Sequence, residues 1–226
     1  MILSTNNFMI AIALVCLFVL NSCKQGDDYY YNYQAQEKMH DGTIYNYIIN
    51  QKGVYDSLAV LLERVPELKQ KLDDPQLDLT FFVINNRSFA LALENLNVAR
   101  RQNNRQPLYL EDIPLNYLDS LAYRYTFDEA YNAVAFEGYV DGEELFSSKF
   151  EYPMNVKYIR GASSGLVDGG QQVLELSDRN RSNYTRYWNT TETALVDLYA
   201  KNGIIHTLVP RHEFGFGKLV NYLSNK

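Results

Sequence analysis

The chain is short of cysteine, histidine, tryptophan and clustered positive charge. It holds two cysteines, three histidines and one tryptophan in 226 residues, and 21 Lys and Arg stand against 27 Asp and Glu, for a formal net charge of −6. A nucleic-acid partner leaves a basic footprint. Here the basic clusters are short, such as Arg100-Arg101 and Arg179-Asn180-Arg181, so no nucleic-acid partner is expected. His40, His206 and His212 form neither an HExxH spacing nor a Cys/His set, which excludes the usual zinc sites. No Gly-x-Ser-x-Gly elbow occurs. The glycine-rich runs at 161–165 and 168–170 match neither a P-loop nor a dinucleotide fingerprint, and no helical pattern follows them. They read as loops. Glu143-Glu144 sits beside a turn, where solvation accounts for both carboxylates. No catalytic residue, metal or cofactor is expected.

What is present is a full apolar complement and an excess of tyrosine. Apolar residues make up 46%, enough for one core, and the length suits one domain plus a tail. Tyrosine numbers 19; extended sheets tolerate it, and so do surfaces that bind sugars or proteins.

Residues 8–20 (FMIAIALVCLFVL) form an apolar run too short to span a bilayer comfortably but suited to a signal-peptide h-region. The following Leu20-Asn21-Ser22-Cys23 resembles a bacterial lipobox, in which the cysteine thiol receives diacylglycerol before cleavage in front of it. Asn21 departs from the usual residue at that place, and the n-region has no Lys or Arg. The resemblance implies a lipoprotein signal peptide over 1–22, lipidation of Cys23 and a membrane partner through that anchor. Cys16 would leave with the leader, so the mature chain could form no disulfide. Lys24-Gln25-Gly26-Asp27-Asp28 resembles the acidic export signal of some surface lipoproteins, implying an outer-membrane protein facing outward; a plain solvated tether reads equally from the residues. Residues 23–41 are thus expected to be an acidic, Tyr-rich tether, either docking on a partner or without set structure.

Along the body, Asp41-Gly42-Thr43 reads as a turn and helix N-cap. Helical periodicity follows around 44–48, 55–64 and 67–72. Leu79-Thr80-Phe81-Phe82-Val83-Ile84 reads as a central strand, bulky on both faces. Residues 88–100 are helical with Phe89, Leu93 and Leu96 inward, and Pro114 begins another helix. The period then changes. Strands are expected over 131–140, 145–150 (a hairpin through Asp141-Gly142), 154–159, 172–176, 184–188 and 194–199. Asn202-Gly203 reads as a tight turn into a strand over 204–209, with a short terminal helix over 218–223. Helices first and strands later is an α+β order.

Two stretches carry a family resemblance. Residues 80–89, with Thr80, Phe82, Asn86 and Phe89, resemble the first signature box of the fasciclin domain, although Ile84 stands where the family has Pro. Asn202-Gly203-Ile204-Ile205-His206 resembles its second box. Between the boxes the family carries a Tyr-His pair, for which this chain has Tyr123-Arg124. The resemblance covers about residues 42–210. It implies a fasciclin-like α+β fold, with N-terminal helices packed on a wedge or sandwich of about seven mostly antiparallel strands. The domain is set at 42–212, with 213–226 a tail or short helix. Residues 97–113 and 177–191 look expanded relative to a compact family member.

His206, between Ile204 and Leu208, is expected to be a buried structural imidazole. Tyr184, Tyr187 and Trp188 fall in the second expanded stretch and are the candidate binding residues, with core or hairpin packing as the competing role. Asp56-Ser57-Leu58 and Asp119-Ser120-Leu121 match a short bacterial O-glycosylation acceptor, but both lie in helical patterns. The resulting expectation is a non-enzymatic surface binding or adhesion lipoprotein with an extracellular protein or glycan ligand. The alternative is an accessory subunit of an outer-membrane nutrient-uptake system, working beside a transport partner.

Overall fold

The computed structural model describes residues 38–160 and 170–226. The leader, Cys23, Tyr29 to Tyr33 and the glycine-rich loop over 161–169 lie outside the described residues. Lys38 and Met39, expected within the tether, form a short strand β1 (Lys38–Met39) beside a later strand.

Three helices open the domain: α1 (Ile44–Asn50), α2 (Asp56–Arg64) and α3 (Pro66–Asp73). Each has a local cause. The Thr43 hydroxyl caps α1 by accepting from the Asn46 amide. Leu58, Leu61 and Leu62 share the buried face of α2. Pro66 occupies the first turn of α3, where its missing N–H costs no hydrogen bond. Strand β2 (Leu79–Val83) follows, and all five of its residues are buried. Helix α4 (Asn86–Gln102) is capped by Asn85, whose side chain accepts from the Ser88 amide. Helix α5 (Leu115–Ala122) starts directly after Pro114.

The sheet runs β3 (Thr126–Asp128), β2, β8 (Gly203–Leu208), β7 (Asn189–Ala200), β6 (Gln172–Asp178), β5 (Pro153–Arg160), β4 (Glu143–Phe146). Pairing is antiparallel except for β2 with β8 and β1 with β7. The two stretches singled out in the sequence are therefore neighbouring strands, with Leu79 opposite Gly203 and Phe82 opposite His206. The twelve-residue β7 serves both halves of the sheet. Its C-terminal part pairs with β8 and its N-terminal part with β6, and the register against β8 shifts between Thr193 and Leu198. Asp197 has φ 57° inside that shift, the left-handed conformation that one type of bulge uses.

The last segment belongs to the core. Phe214 is fully buried and stacks on Phe89, with ring centroids 4.6 Å apart. Helix α6 (Lys218–Leu223) packs on α4, and Arg100 of α4 donates to the carbonyl of Leu223, the last residue of α6, and to that of Lys226.

Three expected strands differ from the structure. Residues 131–140 hold a 3₁₀ turn (Ala133–Phe136) instead. Asn132 caps it by accepting from the Ala135 amide, and Ala133 and Phe136, three apart, face the core. The return strand expected over 145–150 ends at Phe146 and pairs with β5, so Asp141-Gly142 leads into β4 and joins no hairpin. Residues 184–188 hold a 3₁₀ turn (Thr185–Tyr187). There the Asn180 amide group binds the Tyr187 carbonyl, and the Trp188 Nε1–H donates to the Ser182 carbonyl at 2.7 Å, folding the segment back on itself.

Candidate ligand-binding site

The signature residues are built into the framework. Thr80 is fully buried, and its hydroxyl donates to the Glu129 carbonyl at 2.8 Å and accepts from the Tyr131 amide at 2.7 Å. Phe82 meets Phe127 edge-on and lies 5.0 Å from the His206 ring. The two box asparagines act alike, each fastening a helix start with its side chain. Asn86 Oδ1 accepts from the Ser57 amide at 2.8 Å, in the first turn of α2. Asn202 Oδ1 accepts from the Ile44 amide at the start of α1, at 2.8 Å, and its Nδ2 donates to the carbonyls of Leu72 and Asp74, both at 3.0 Å. The turn joining β7 to β8 is Lys201-Asn202, because Ala200 already pairs with Gly203.

His206 is completely buried. Its Nδ1 accepts from the Asp197 amide at 3.3 Å, so the proton sits on Nε2, which donates to the Tyr131 carbonyl at 3.0 Å. Burial pushes this imidazole down to about 4, and it is neutral at physiological pH. His212, which carried no assigned role in the sequence, accepts at Nε2 from the Tyr125 hydroxyl at 2.8 Å; that hydroxyl in turn accepts from the Gly215 amide. Burial pushes His212 down to about 3.

Arg124 fills the place where the resemblance led one to look for a histidine. It is 3% exposed and forms an ion pair with Asp178, which is 0% exposed. Asp178 also accepts from the Tyr152 hydroxyl and the Asn180 amide, each at 2.8 Å. The Arg124 guanidinium lies 3.9 Å from the centroid of the Tyr152 ring. Among the described residues its Nε–H is buried without a hydrogen-bond partner. Arg124, Tyr152, Arg181, Lys218, Asn221 and Tyr222 line a pocket of about 440 Å³. Lys218 binds the Asn180 side-chain carbonyl, and its pKa is lowered, chiefly by burial. None of these residues was a candidate in the sequence. The available signal was the single charge of Arg124 between Tyr123 and Tyr125 in an otherwise uncharged stretch, residues 120–127.

The candidate binding aromatics divide. Tyr184 and Tyr187 are 67% and 52% exposed and meet edge-on at 6.4 Å, with the Arg186 guanidinium against both rings. Trp188 is half-buried and walls an open cleft of about 650 Å³, shared with Thr190, Glu192, Glu213, Phe216 and Asn221. Glu213 is held by Asn95, at 2.8 Å from Oε2, while its Oε1 is buried and unpartnered among the described residues. Burial raises the pKa of that carboxyl. An indole wall beside amide, hydroxyl and carboxylate groups and the Arg211–Glu192 ion pair suits a polar ligand with one apolar face. Asn221 lines both hollows, so the cleft and the cationic pocket adjoin.

Ser57 and Ser120, of the two Asp-Ser-Leu sites, lie within α2 and α5 and are partly buried. Among the described residues no group of three or more His, Cys, Asp or Glu could hold a metal ion, and no helix is long and apolar enough to cross a membrane.

No protein-family model matches the chain, and no curated protein matches it. Among solved structures, a FAS1 domain pair from the insect cell adhesion molecule Fasciclin I matches with a TM-score of 0.51 at 13% identity, over 74% of this chain. The chain spans about half of that structure's length, 49%. At such identity the match concerns the fold, and the fold is α+β and fasciclin-like.

Proposed function

We propose that this protein is a non-enzymatic binding or adhesion module held at the outer membrane by a lipid on Cys23, with its fasciclin-like domain facing the exterior. The observation that carries the reading is Trp188, the single tryptophan, forming one wall of an open polar cleft with Tyr184 and Tyr187 exposed beside it. Three aromatics gathered at one short turn, two of them exposed, suit a ligand with an apolar ring face. The solved Fasciclin I pair is described as part of a cell adhesion molecule, which agrees with a binding role on this fold. A second reading is supported by the polar lining of the cleft. It suits a glycan, and the protein would then serve as an accessory subunit beside an outer-membrane transport partner.

Two experiments test this. Protease added to intact cells should cleave the protein; a chain left whole, and unlabelled by an impermeant dye, would rule out the exterior placement. The full chain should bind in a screen of glycans and matrix proteins, and Trp188→Ala should weaken that binding about tenfold. Binding unchanged in Trp188→Ala would remove the cleft from the mechanism.

A further inference from the structure

We infer that the pocket around Arg124, Lys218 and Arg181 is an anion site, and that it takes the carboxylate or sulfate of an acidic sugar whose neighbouring ring rests in the Trp188 cleft. The sugar assignment rests on the glycan reading above. The anion assignment rests on the pocket itself.

Three cations face the pocket, and one carboxylate answers them. Asp178 pairs with Arg124. Lys218 binds an amide carbonyl, which leaves its charge uncompensated. Arg181 lies 5.7 Å from the Tyr152 ring centroid, and among the described residues it forms no ion pair. The pocket thus carries an excess of two positive charges. The Arg124 Nε–H is buried without a partner among the described residues, so Asp178 meets the hydrogen-bonding capacity of this guanidinium only in part. The Asn180 amide is fixed by Asp178, and its side chain lies between Lys218 and the Tyr187 carbonyl, so the cationic pocket is linked to the exposed aromatic turn. Charge-assisted hydrogen bonds from Arg and Lys to oxyanions are the strong class, and a partly desolvated pocket screens them less than open solvent does.

Size and position select the ligand. A volume of about 440 Å³ exceeds what a bare oxyanion fills and accommodates a sugar unit. Tyr152, Tyr222 and Phe150 supply apolar walls. Asn221 stands on the border with the Trp188 cleft, so adjacent units of one chain can occupy both hollows. In the Trp188 cleft Glu192 is paired with Arg211 at 2.8 Å, so that end offers no uncompensated cation, and an acidic oligosaccharide is oriented with its charge towards Lys218.

The test uses the full chain, with Trp188 fluorescence and amide NMR shifts as readouts. The probes are trigalacturonate, its methyl ester as a neutral isostere, and inorganic sulfate. Replacing Arg124 would strand Asp178 inside the fold, so the variants are Lys218→Met, Arg181→Ala and the two combined. The acid should bind at least about tenfold tighter than the ester. Sulfate should compete with it, and the combined variant should bring acid and ester to the same affinity. Equal affinity of acid and ester, or an unchanged combined variant, overturns the anion site while leaving a neutral-glycan role at Trp188 intact. Sulfate bound through Lys218 and Arg181 with no oligosaccharide bound supports the anion site and overturns the sugar assignment.

Discussion

Gly203 lies backbone against backbone on Leu79: a Cβ at Gly203 would stand 2.0 Å from the Leu79 carbonyl oxygen and 2.7 Å from its nitrogen. Its φ is also 143°, where side-chain-bearing residues rarely go. Both conditions arise because β8 enters the sheet parallel to β2 with these two residues in register. Gly203→Ala should therefore cost about 3 kcal/mol or more, since backbone strain and overpacking add. Gly138, with open space around its α-carbon, is the control, and Gly138→Ala should stay within about 0.5 kcal/mol. Urea denaturation distinguishes them. Equal midpoints would contradict the close approach.

Asn202 is the companion case. Its fully buried side chain replaces three backbone partners at once, for Ile44, Leu72 and Asp74. Asn202→Ala leaves these groups without it and should cost about 2–4 kcal/mol. Asn202→Asp cannot donate to the two carbonyls and should be at least as damaging. Hydrogen exchange at the Ile44 amide provides the local check. An amide equally protected in Asn202→Ala would show that the cap does not depend on this side chain.

These two residues also show what could be read in advance. The Asn-Gly pair marked a turn into a strand, and the strand is there. The reasons for it were not visible, because they lie in contacts more than a hundred positions away in sequence, at Leu79 and at the start of α1. The unbroken bulky run of β2 and the helical period of α4 were legible for the same local reasons that form them. Residues 131–140 were not. Their alternation of small and large residues fits a strand, but the Ala133 amide is taken by the Asp197 carboxylate, and a 3₁₀ spacing brings Ala133 and Phe136 inward. The turn at 184–188 is a second such case: Asn180 and Arg181 take positive φ, at 52° and 55°, and reverse the chain before a strand can form. The cationic pocket was least legible of all. Arg124, Asp178 and Lys218 come from three separate segments.

Acid should weaken the fold through its histidines. His206 and His212 have folded values of about 4 and about 3, below the ordinary 6.5, because burial disfavours the charged ring. The unfolded chain therefore binds more protons below pH 6.5, and stability falls as pH drops from there towards 4, by up to about 1.4 kcal/mol per unit for each ring. Asp197, beside His206, and Glu213, beside His212, have raised values from burial and act with the opposite sign. They offset part of the loss only where carboxyls begin to protonate, towards the acid end of the window. Melting temperature measured from pH 7 to 4.5 should decline, and His212→Asn should flatten the decline while lowering the value at pH 7. A slope identical to the parent's would remove His212 from the linkage.

The Arg124–Asp178 pair should be strongly coupled. Both groups are buried, so removing either one leaves the other charged in a poorly solvated site. Arg124→Met leaves Asp178 with the Tyr152 hydroxyl and the Asn180 amide and no direct cation. Asp178→Leu leaves Arg124 and Lys218 repelling across the pocket, and each electrostatic neighbour already bears on Lys218. Each single change should cost about 3–5 kcal/mol, and the double change much less than their sum, because replacing a whole buried pair by apolar groups is often close to neutral. Denaturation of the three variants in a double-mutant cycle measures the coupling, expected to exceed about 2 kcal/mol. Simple additivity would mean that water reaches the pair and screens it, and the pocket would then lack the dry, charged interior on which selective recognition of an anion depends.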